Sequence, residues 1–189
     1  IASYYLQPGD QVVDVGAHIG GYTLFYADLV GPSGKVYSYE AHPLIFKKLQ
    51  ERFQQTPQVT AINCAVSNTS NRKLQMRIYP NEISHECATV EKALMDTERM
   101  PGETALIEVE CQSLDSLQNS PIRLIKIDVE GHEHAVIDGA LHLLNKHKPI
   151  LIFEYGYIPN KFEPTTISQI EQLGYNAYDC TTLKRVSPG

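Results

Sequence analysis

Short β-branched runs alternate with longer apolar stretches at helical spacing along the first third of the chain. Residues 11–15 form a β-branched run, and residues 22–30 are apolar on nearly every side, which is typical of a helix packed against a sheet. Further strands are predicted at 35–40 and 59–63, with a helix beginning at Pro43 between them. This alternation predicts a parallel sheet wound with helices.

The middle of the chain interrupts the alternation. Strands are predicted at 74–79 and 105–110, and the polar stretch between them, residues 80–103, contains two prolines and no clear helix. We interpret residues 72–112 as an insertion that carries an irregular loop. Such a loop either forms part of a binding site or is only a tolerated surface connection.

The last third of the chain returns to alternating elements. One helix at 134–145 is predicted between strands at 122–128 and 150–153. The remaining predicted elements are a helix at 165–173 and a closing strand pair near 175–180 and 183–186. The prediction is therefore one α/β domain over residues 1–189. Its mostly parallel sheet has helices on both faces, and the inserted strand pair and loop lie between the third and fourth core strands.

Composition narrows the class of protein. Of the 189 residues, 42% are hydrophobic and 20% are charged, which is ordinary for a globular domain. Sixteen Lys and Arg against 22 Asp and Glu give a net charge of -6, which disfavours nucleic-acid binding. No apolar run approaches the ~20 residues that a membrane span requires. Four scattered cysteines without a C-x-x-C pair indicate reduced thiols, so we expect a cytoplasmic protein without a membrane partner.

A glycine-rich turn at residues 14–21 follows the first predicted strand. Glycines let the backbone approach a ligand closely, and the next helix begins there with free N–H groups. Glu40 ends the second predicted strand, where its carboxylate can accept hydrogen bonds from both hydroxyls of a ribose. Together these features predict a nucleoside-containing cofactor, and a purely structural strand-to-helix turn is the alternative.

The spacing of the turn distinguishes between cofactor classes. The dinucleotide fingerprint G-x-G-x-x-G needs a middle glycine next to the pyrophosphate. His18 stands at that position, so a nicotinamide-dependent oxidoreductase is the less favoured alternative. Residues 14–20 fit instead the looser D-x-G-x-x-x-G pattern associated with S-adenosylmethionine, which carries no pyrophosphate.

Two segments carry a specific resemblance to a known family. Residues 12–20 followed by 39–43 resemble the start of FkbM-type methyltransferases, and residues 124–133 closely resemble the most recognisable motif of that family. His18 stands where that family typically has Asn. The resemblance implies a Rossmann-like class I methyltransferase fold and methyl transfer from S-adenosylmethionine, usually to a hydroxyl oxygen. The implied partner is a small-molecule or saccharide acceptor.

The resemblance also implies cofactor contacts around the glycine turn. Glu40 is expected to hold the ribose, and Asp14 to bind the cofactor's ammonium directly or through water. Thr23 is expected to cap the first helix. The other expected contacts lie under the methionine portion (Gly16, Ala17, His18 and Gly20) and beside the adenine (Asn63 and Ala65).

An alcohol acceptor needs a positioned base, because its oxygen is a poor nucleophile until the proton leaves. Asp128, His132 and Glu154 are the candidate catalytic residues, and capping of the next helix is the alternative for His132. Asp128, Glu130 and Glu154 could also hold a divalent cation, whereas Glu133 is expected to serve the helix dipole rather than chemistry. A non-catalytic S-adenosylmethionine-binding module is a further alternative.

Overall fold

The chain divides into two compact units, residues 1–154 and residues 155–189. The computed structural model describes residues 2–78, 104–154 and 164–186, and the fold is given for these residues. A single domain over residues 1–189 stays a prediction.

A five-stranded parallel sheet forms the centre of the first unit. Its strand order is β3-β2-β1-β7-β8. The strands are β1 (Gln11–Val15), β2 (Lys35–Tyr39), β3 (Val59–Ile62), β7 (Ile122–Ile127) and β8 (Ile150–Phe153). Because β2 and β7 flank β1 on opposite sides, the direction of winding reverses at β1. Open parallel sheets bind ligands at such a point, beyond the carboxyl ends of the strands.

The sequence predicts the helices at 21–30 and 43–53 but not the short ones at 2–5 and 114–117, and the predicted helix at 134–145 differs as described below. Helices precede or connect the strands of this sheet. They are α1 (Ala2–Tyr5), α2 (Gly21–Val30), α3 (Pro43–Phe53), α4 (Glu133–Asp138) and α5 (Leu141–His147), with a 3-10 helix at Leu114–Leu117. On one face of the sheet, Val12 packs with Tyr26 of α2. Val13 points to the opposite face and is equally buried. Both faces are therefore covered, and right-handed crossovers place α2 and α3 on one face and α4 and α5 on the other.

A three-stranded sheet is inserted between β3 and β7, with the order β4-β6-β5. The long antiparallel pair consists of β5 (Arg72–Ile78) and β6 (Ala105–Gln112), so the predicted inserted strand pair is confirmed. The sequence does not predict β4 (Ala65–Val66), which pairs in parallel with β6. The predicted loop at 80–103 lies outside the described residues.

The single helix predicted at 134–145 is wrong, because α4 and α5 are separated at Gly139 and Ala140. A Cβ on Gly139 would overlap the backbone oxygen of Ser67, so the chain passes too close there for an ordinary helical residue. The carboxylate of Asp115 then accepts a hydrogen bond from Leu143 N at 2.9 Å, which satisfies a free N–H at the start of α5. The close approach of Ser67 thus divides a segment whose apolar spacing predicts one continuous helix.

The second unit contains the elements predicted for the end of the chain. They are α6 (Pro164–Gln172) and an antiparallel pair of β9 (Ala177–Tyr178) with β10 (Arg185–Val186). Asp179 closes the connection between the two strands by accepting hydrogen bonds from the backbone of Thr181 and Thr182. Within the ranges that the structure describes, no helix is both long and apolar enough to cross a membrane.

Candidate functional site

A cavity of about 390 Å³ lies at the carboxyl ends of β1, β2 and β7. It is lined by the turn after β1, the end of β2, the segment around β4, Met76 of β5 and the segment after β7. Its volume is in the range of small-molecule and cofactor sites. The cavity therefore occupies the position at which the strand order predicts a ligand.

The turn after β1 is fixed between β2 and the segment after β7. Gly16 has a φ of 73°, and a Cβ there would overlap the backbone oxygen of Asp128. The N–H groups of Gly16 and Ala17 both donate to the carbonyl of Tyr39, at 3.0 and 2.9 Å. His18 also has a positive φ, 52°, and His and Asn are both enriched in this conformation. His18 thus suits the left-handed backbone of this turn.

Glu40 follows β2 and lines the cavity, although the residue is only 7% exposed. Its two carboxylate oxygens accept hydrogen bonds from His18 N at 2.9 Å and from His42 N at 2.7 Å. Burial raises the pKa of this carboxyl above its ordinary value, and the two backbone donors oppose the rise. A carboxylate has about four acceptor positions, so two remain for hydroxyl groups of a ligand.

Asn63 and Ala65 have different places beside Glu40. The Asn63 amide donates to the carbonyl oxygens of Glu40 and Ala41, at 2.8 and 3.1 Å, and thereby orders the chain after β2. Ala65 lines the cavity together with Cys64. Burial raises the pKa of the Cys64 thiol to about 11, so this wall of the cavity is uncharged at neutral pH.

Asp14 lies beneath the turn, fully buried, and does not line the cavity. Its Oδ2 accepts a hydrogen bond from Thr23 Oγ1 at 2.7 Å, and its Oδ1 is 3.3 Å from Lys126 Nζ. Burial raises the pKa of Asp14, whereas the ammonium of Lys126 lowers it. The expected cap by Thr23 is wrong: Gly20 is the N-cap of α2, and Thr23 is turned toward the buried carboxylate, which needs a donor.

Lys126 of β7 was missed by the sequence analysis. Its Nζ donates to the carbonyl of Gly16 at 2.9 Å and lies 3.5 Å from Asp128 Oδ2. The lysine interrupts an apolar strand that the sequence already predicts to be buried. That signal was available, because a buried ammonium in a central strand requires oxygen partners.

The segment after β7 brings several acidic and histidine side chains to the cavity. Asp128, Glu130 and His132 line it. The carboxylate of Glu133 is buried and accepts hydrogen bonds from Val129 N at 3.0 Å and Gly131 N at 3.3 Å. Glu133 therefore shapes this segment, and it also lies in the first turn of α4, where the sequence predicts that it serves the helix dipole rather than chemistry.

His132 precedes α4, but its side chain makes no capping hydrogen bond to that helix within the described chain. Its Nε2 lies 2.9 Å from the hydroxyl oxygen of Ser67. Of the two expectations for His132, the structure shows the capping position: His132 is the N-cap residue of α4, and its carbonyl oxygen accepts hydrogen bonds from Ala135 N at 3.1 Å and Val136 N at 3.2 Å. The structure also places the ring on the cavity wall, held by a serine.

Comparison with known proteins identifies the family. A family model described as the methyltransferase FkbM domain matches residues 14–179, which include the turn after β1, Glu40 and the segment after β7. The chain belongs to the FkbM methyltransferase family. A curated relative, 31-O-demethyl-FK506 methyltransferase FkbM of Streptomyces tacrolimicus, is 29% identical over 159 residues, which cover 71% of this chain. The chain spans about 60% of the length of that relative.

Solved structures confirm the predicted Rossmann-like class I methyltransferase fold. Methyltransferase FkbM from Methylobacillus flagellatus KT superposes with a TM-score of 0.51 at 20% identity, covering 77% of this chain and 32% of that one. Fibrillarin from Aeropyrum pernix, solved with natively bound S-adenosyl-L-methionine, also has a TM-score of 0.51, at 11% identity. That match covers 96% of this chain and 66% of fibrillarin.

In this FkbM-family chain, most of the predicted site residues lie together, and others stand apart from the cavity. The predicted residues on the cavity wall are Gly16, Ala17, His18, Glu40, Ala65, Asp128, Glu130 and His132. Those that do not line it are Asp14, Gly20, Asn63 and Glu154. Glu154 follows β8, which is an edge strand, one position further from β1 than β7.

The proposed metal set is not assembled in the described part of the chain. Asp128 and Glu130 line the cavity, and Glu154 does not. No group of three or more His, Cys, Asp or Glu side chains that could hold a metal ion occurs among the described residues. The described residues of this FkbM-family chain therefore support no metal-ligand set.

Proposed function

We propose that this FkbM-family protein transfers a methyl group from S-adenosylmethionine to a hydroxyl oxygen of a small molecule or sugar. One observation carries the cofactor assignment: the carboxylate of Glu40 faces the cavity beside the glycine turn, held by two backbone N–H groups. A carboxylate in this place, at the end of the second strand of an open parallel sheet, fits the two hydroxyls of a ribose.

The residues of the turn fit a cofactor without a pyrophosphate. At position 18 a dinucleotide site needs a glycine, whereas this chain has a histidine in a left-handed conformation on the cavity wall. Gly16, Ala17 and His18 are proposed to lie under the methionine portion, and Ala65 beside the adenine. The same observation argues against a nicotinamide-dependent oxidoreductase.

The chemistry of the acceptor is assigned to Asp128 and His132. S-adenosylmethionine supplies a methyl group that is already activated, so the protein has to align the acceptor, exclude water and remove a proton. Asp128 has 46% of its side chain exposed, and His132 lines the same cavity. Either group can accept the hydroxyl proton, which leaves the acceptor oxygen with the electron pair that forms the new bond to carbon. Glu154 has no such place on the cavity wall.

Transfer of a labelled methyl group tests this function. The protein is incubated with S-adenosylmethionine carrying a 13C-methyl group and a panel of neutral sugars and other hydroxyl compounds, and the product is analysed by NMR. We expect the label in an O-methyl group. Loss of the general base, by Asp128→Asn or His132→Gln, should slow transfer by about 10²–10⁴-fold.

Two results would contradict the proposal. Label on nitrogen, carbon or sulfur would show a methyltransferase of another acceptor class. Cofactor binding without transfer to any acceptor of the panel would favour the non-catalytic binding module. The exposed pair Lys73 and Glu108 provides the control, because Lys73→Met changes a charge in a surface ion pair outside the cavity wall.

A further inference from the structure

The buried ammonium of Lys126 lies between the turn after β1 and the segment after β7, which carries the proposed bases Asp128 and His132. We propose that Lys126 is a positioning residue, which holds the Gly16 peptide and the carboxylate of Asp128 in one fixed arrangement. This inference rests on the proposed function and adds a residue to it. The lysine side chain is only 7% exposed, and part of it lines the cavity.

The contacts of the ammonium join two strands at their carboxyl ends. Nζ lies 2.9 Å from the carbonyl oxygen of Gly16 and 3.4 Å from that of Val15, both at the end of β1. It also lies 3.5 Å from Asp128 Oδ2, at the end of its own strand. The Tyr22 ring, 5.4 Å from Nζ at its centroid, forms an aromatic wall for the cation. The ammonium thus contacts both sides of the cavity.

A purely structural reading of Lys126 is the competing explanation. Asp14 is fully buried, and a buried carboxylate needs a cation or other donors. Lys126 Nζ is 3.3 Å from Asp14 Oδ1, so the lysine could serve only to neutralise this acid. However, the shortest contact of the ammonium is to the Gly16 carbonyl and not to Asp14. The two roles involve different partners, and mutation can therefore separate them.

The decisive comparison is between Asp14→Asn and the double variant Asp14→Asn/Lys126→Met. Asparagine at position 14 retains an oxygen that accepts the Thr23 hydroxyl, and it removes the buried negative charge that the lysine would neutralise. Lys126→Met alone leaves that charge unpaired and is expected to unfold at a lower temperature. Thermal unfolding measures stability in all variants, and calorimetric titration with S-adenosylhomocysteine measures cofactor affinity without needing the acceptor.

We expect the double variant to recover most of the Tm lost in Lys126→Met, because neither buried charge remains. Its affinity for S-adenosylhomocysteine should stay about tenfold below that of Asp14→Asn, since the Gly16 carbonyl has lost a charge-assisted hydrogen bond. The control variant is Lys73→Met, because Lys73 is an exposed lysine that pairs with Glu108. It should match the wild type in both Tm and affinity.

Equal affinity in Asp14→Asn and the double variant would overturn the proposal and leave Lys126 as a neutralising residue only. Failure of the proposed function gives a different result, because the wild-type protein itself would then not bind S-adenosylhomocysteine. Recovery of Tm without recovery of affinity is the outcome that a merely structural lysine does not produce.

Discussion

At the scale of single residues, Glu40 combines burial with a direct place on the cavity wall. Desolvation raises the pKa of its carboxyl above the ordinary value of a glutamate, ~4.3. If the ionised form binds the ribose, the affinity for S-adenosylhomocysteine falls as the pH is lowered through this raised pKa. This loss of affinity begins at a higher pH than it would for an ordinary glutamate. The Glu40→Gln variant should not show the loss. Calorimetric titrations from neutral pH down to the ordinary pKa of glutamate measure this dependence, and the same pH slope in both proteins would contradict it.

The raised pKa of Glu40 affects folding stability in the opposite direction: lowering the pH weakens cofactor binding, whereas it stabilises the folded chain. The folded chain binds this proton more tightly than the unfolded chain does. The free energy of unfolding contributed by Glu40 is therefore highest below its ordinary pKa and decreases as the pH rises to the raised value. The residue destabilises the free protein at neutral pH, where its charge is proposed to serve binding.

The sequence predicts which residues lie at the site better than it predicts their hydrogen-bond and ion-pair partners. Glu40 and Asp128 were found because each is the last residue of a predicted strand, at the end where parallel sheets bind ligands. Thr23 and Lys126 were misjudged or missed because their partner, Asp14, becomes available only when the strands and α2 pack together. Side-chain pairing across a sheet is a tertiary property that local spacing does not contain.

At the scale of elements, the break between α4 and α5 is a packing constraint. Gly139→Ala would place a Cβ against the backbone oxygen of Ser67, whose hydroxyl contacts His132. Backbone cannot yield as a flexible side chain does, so we expect a loss of about 1–3 kcal/mol in the free energy of unfolding. Chemical denaturation measures the loss. Gly21→Ala is the matched control, because a Cβ at Gly21 meets nothing within 4 Å. Equal stability of the two variants would contradict the packing argument.

Most strands, and the helices α2, α3 and α6, followed from the sequence to within a residue or two, since their burial produces the patterns that predict them. β1 and β7 are buried on both faces over most of their length and consist mainly of apolar or β-branched residues. β8 is apolar throughout and half-buried. The two-residue strand β4 has no such pattern, because its place depends on pairing with β6, where each partner residue lies 46 positions further along the chain. The helix break at Gly139 depends in the same way on a distant segment.

At the scale of the whole molecule, the strand order explains why the site lies where it does. Winding outward from β1 in both directions leaves a crevice at its carboxyl end, which the turn, Glu40 and the segment after β7 enclose. The FkbM family match spans these same parts. We therefore propose that this crevice binds S-adenosylmethionine.

Calorimetric titration of the wild-type protein with S-adenosylhomocysteine tests this claim most directly. We predict a micromolar Kd, about -8 kcal/mol, and no binding of the nicotinamide dinucleotides. Glu40→Gln should bind at least about tenfold more weakly, through loss of charged hydrogen bonds. The control variant Glu108→Gln should bind as the wild type does, because Glu108 is an exposed glutamate outside the cavity wall. Absence of binding to the wild type, or equal affinity of Glu40→Gln, would contradict the account.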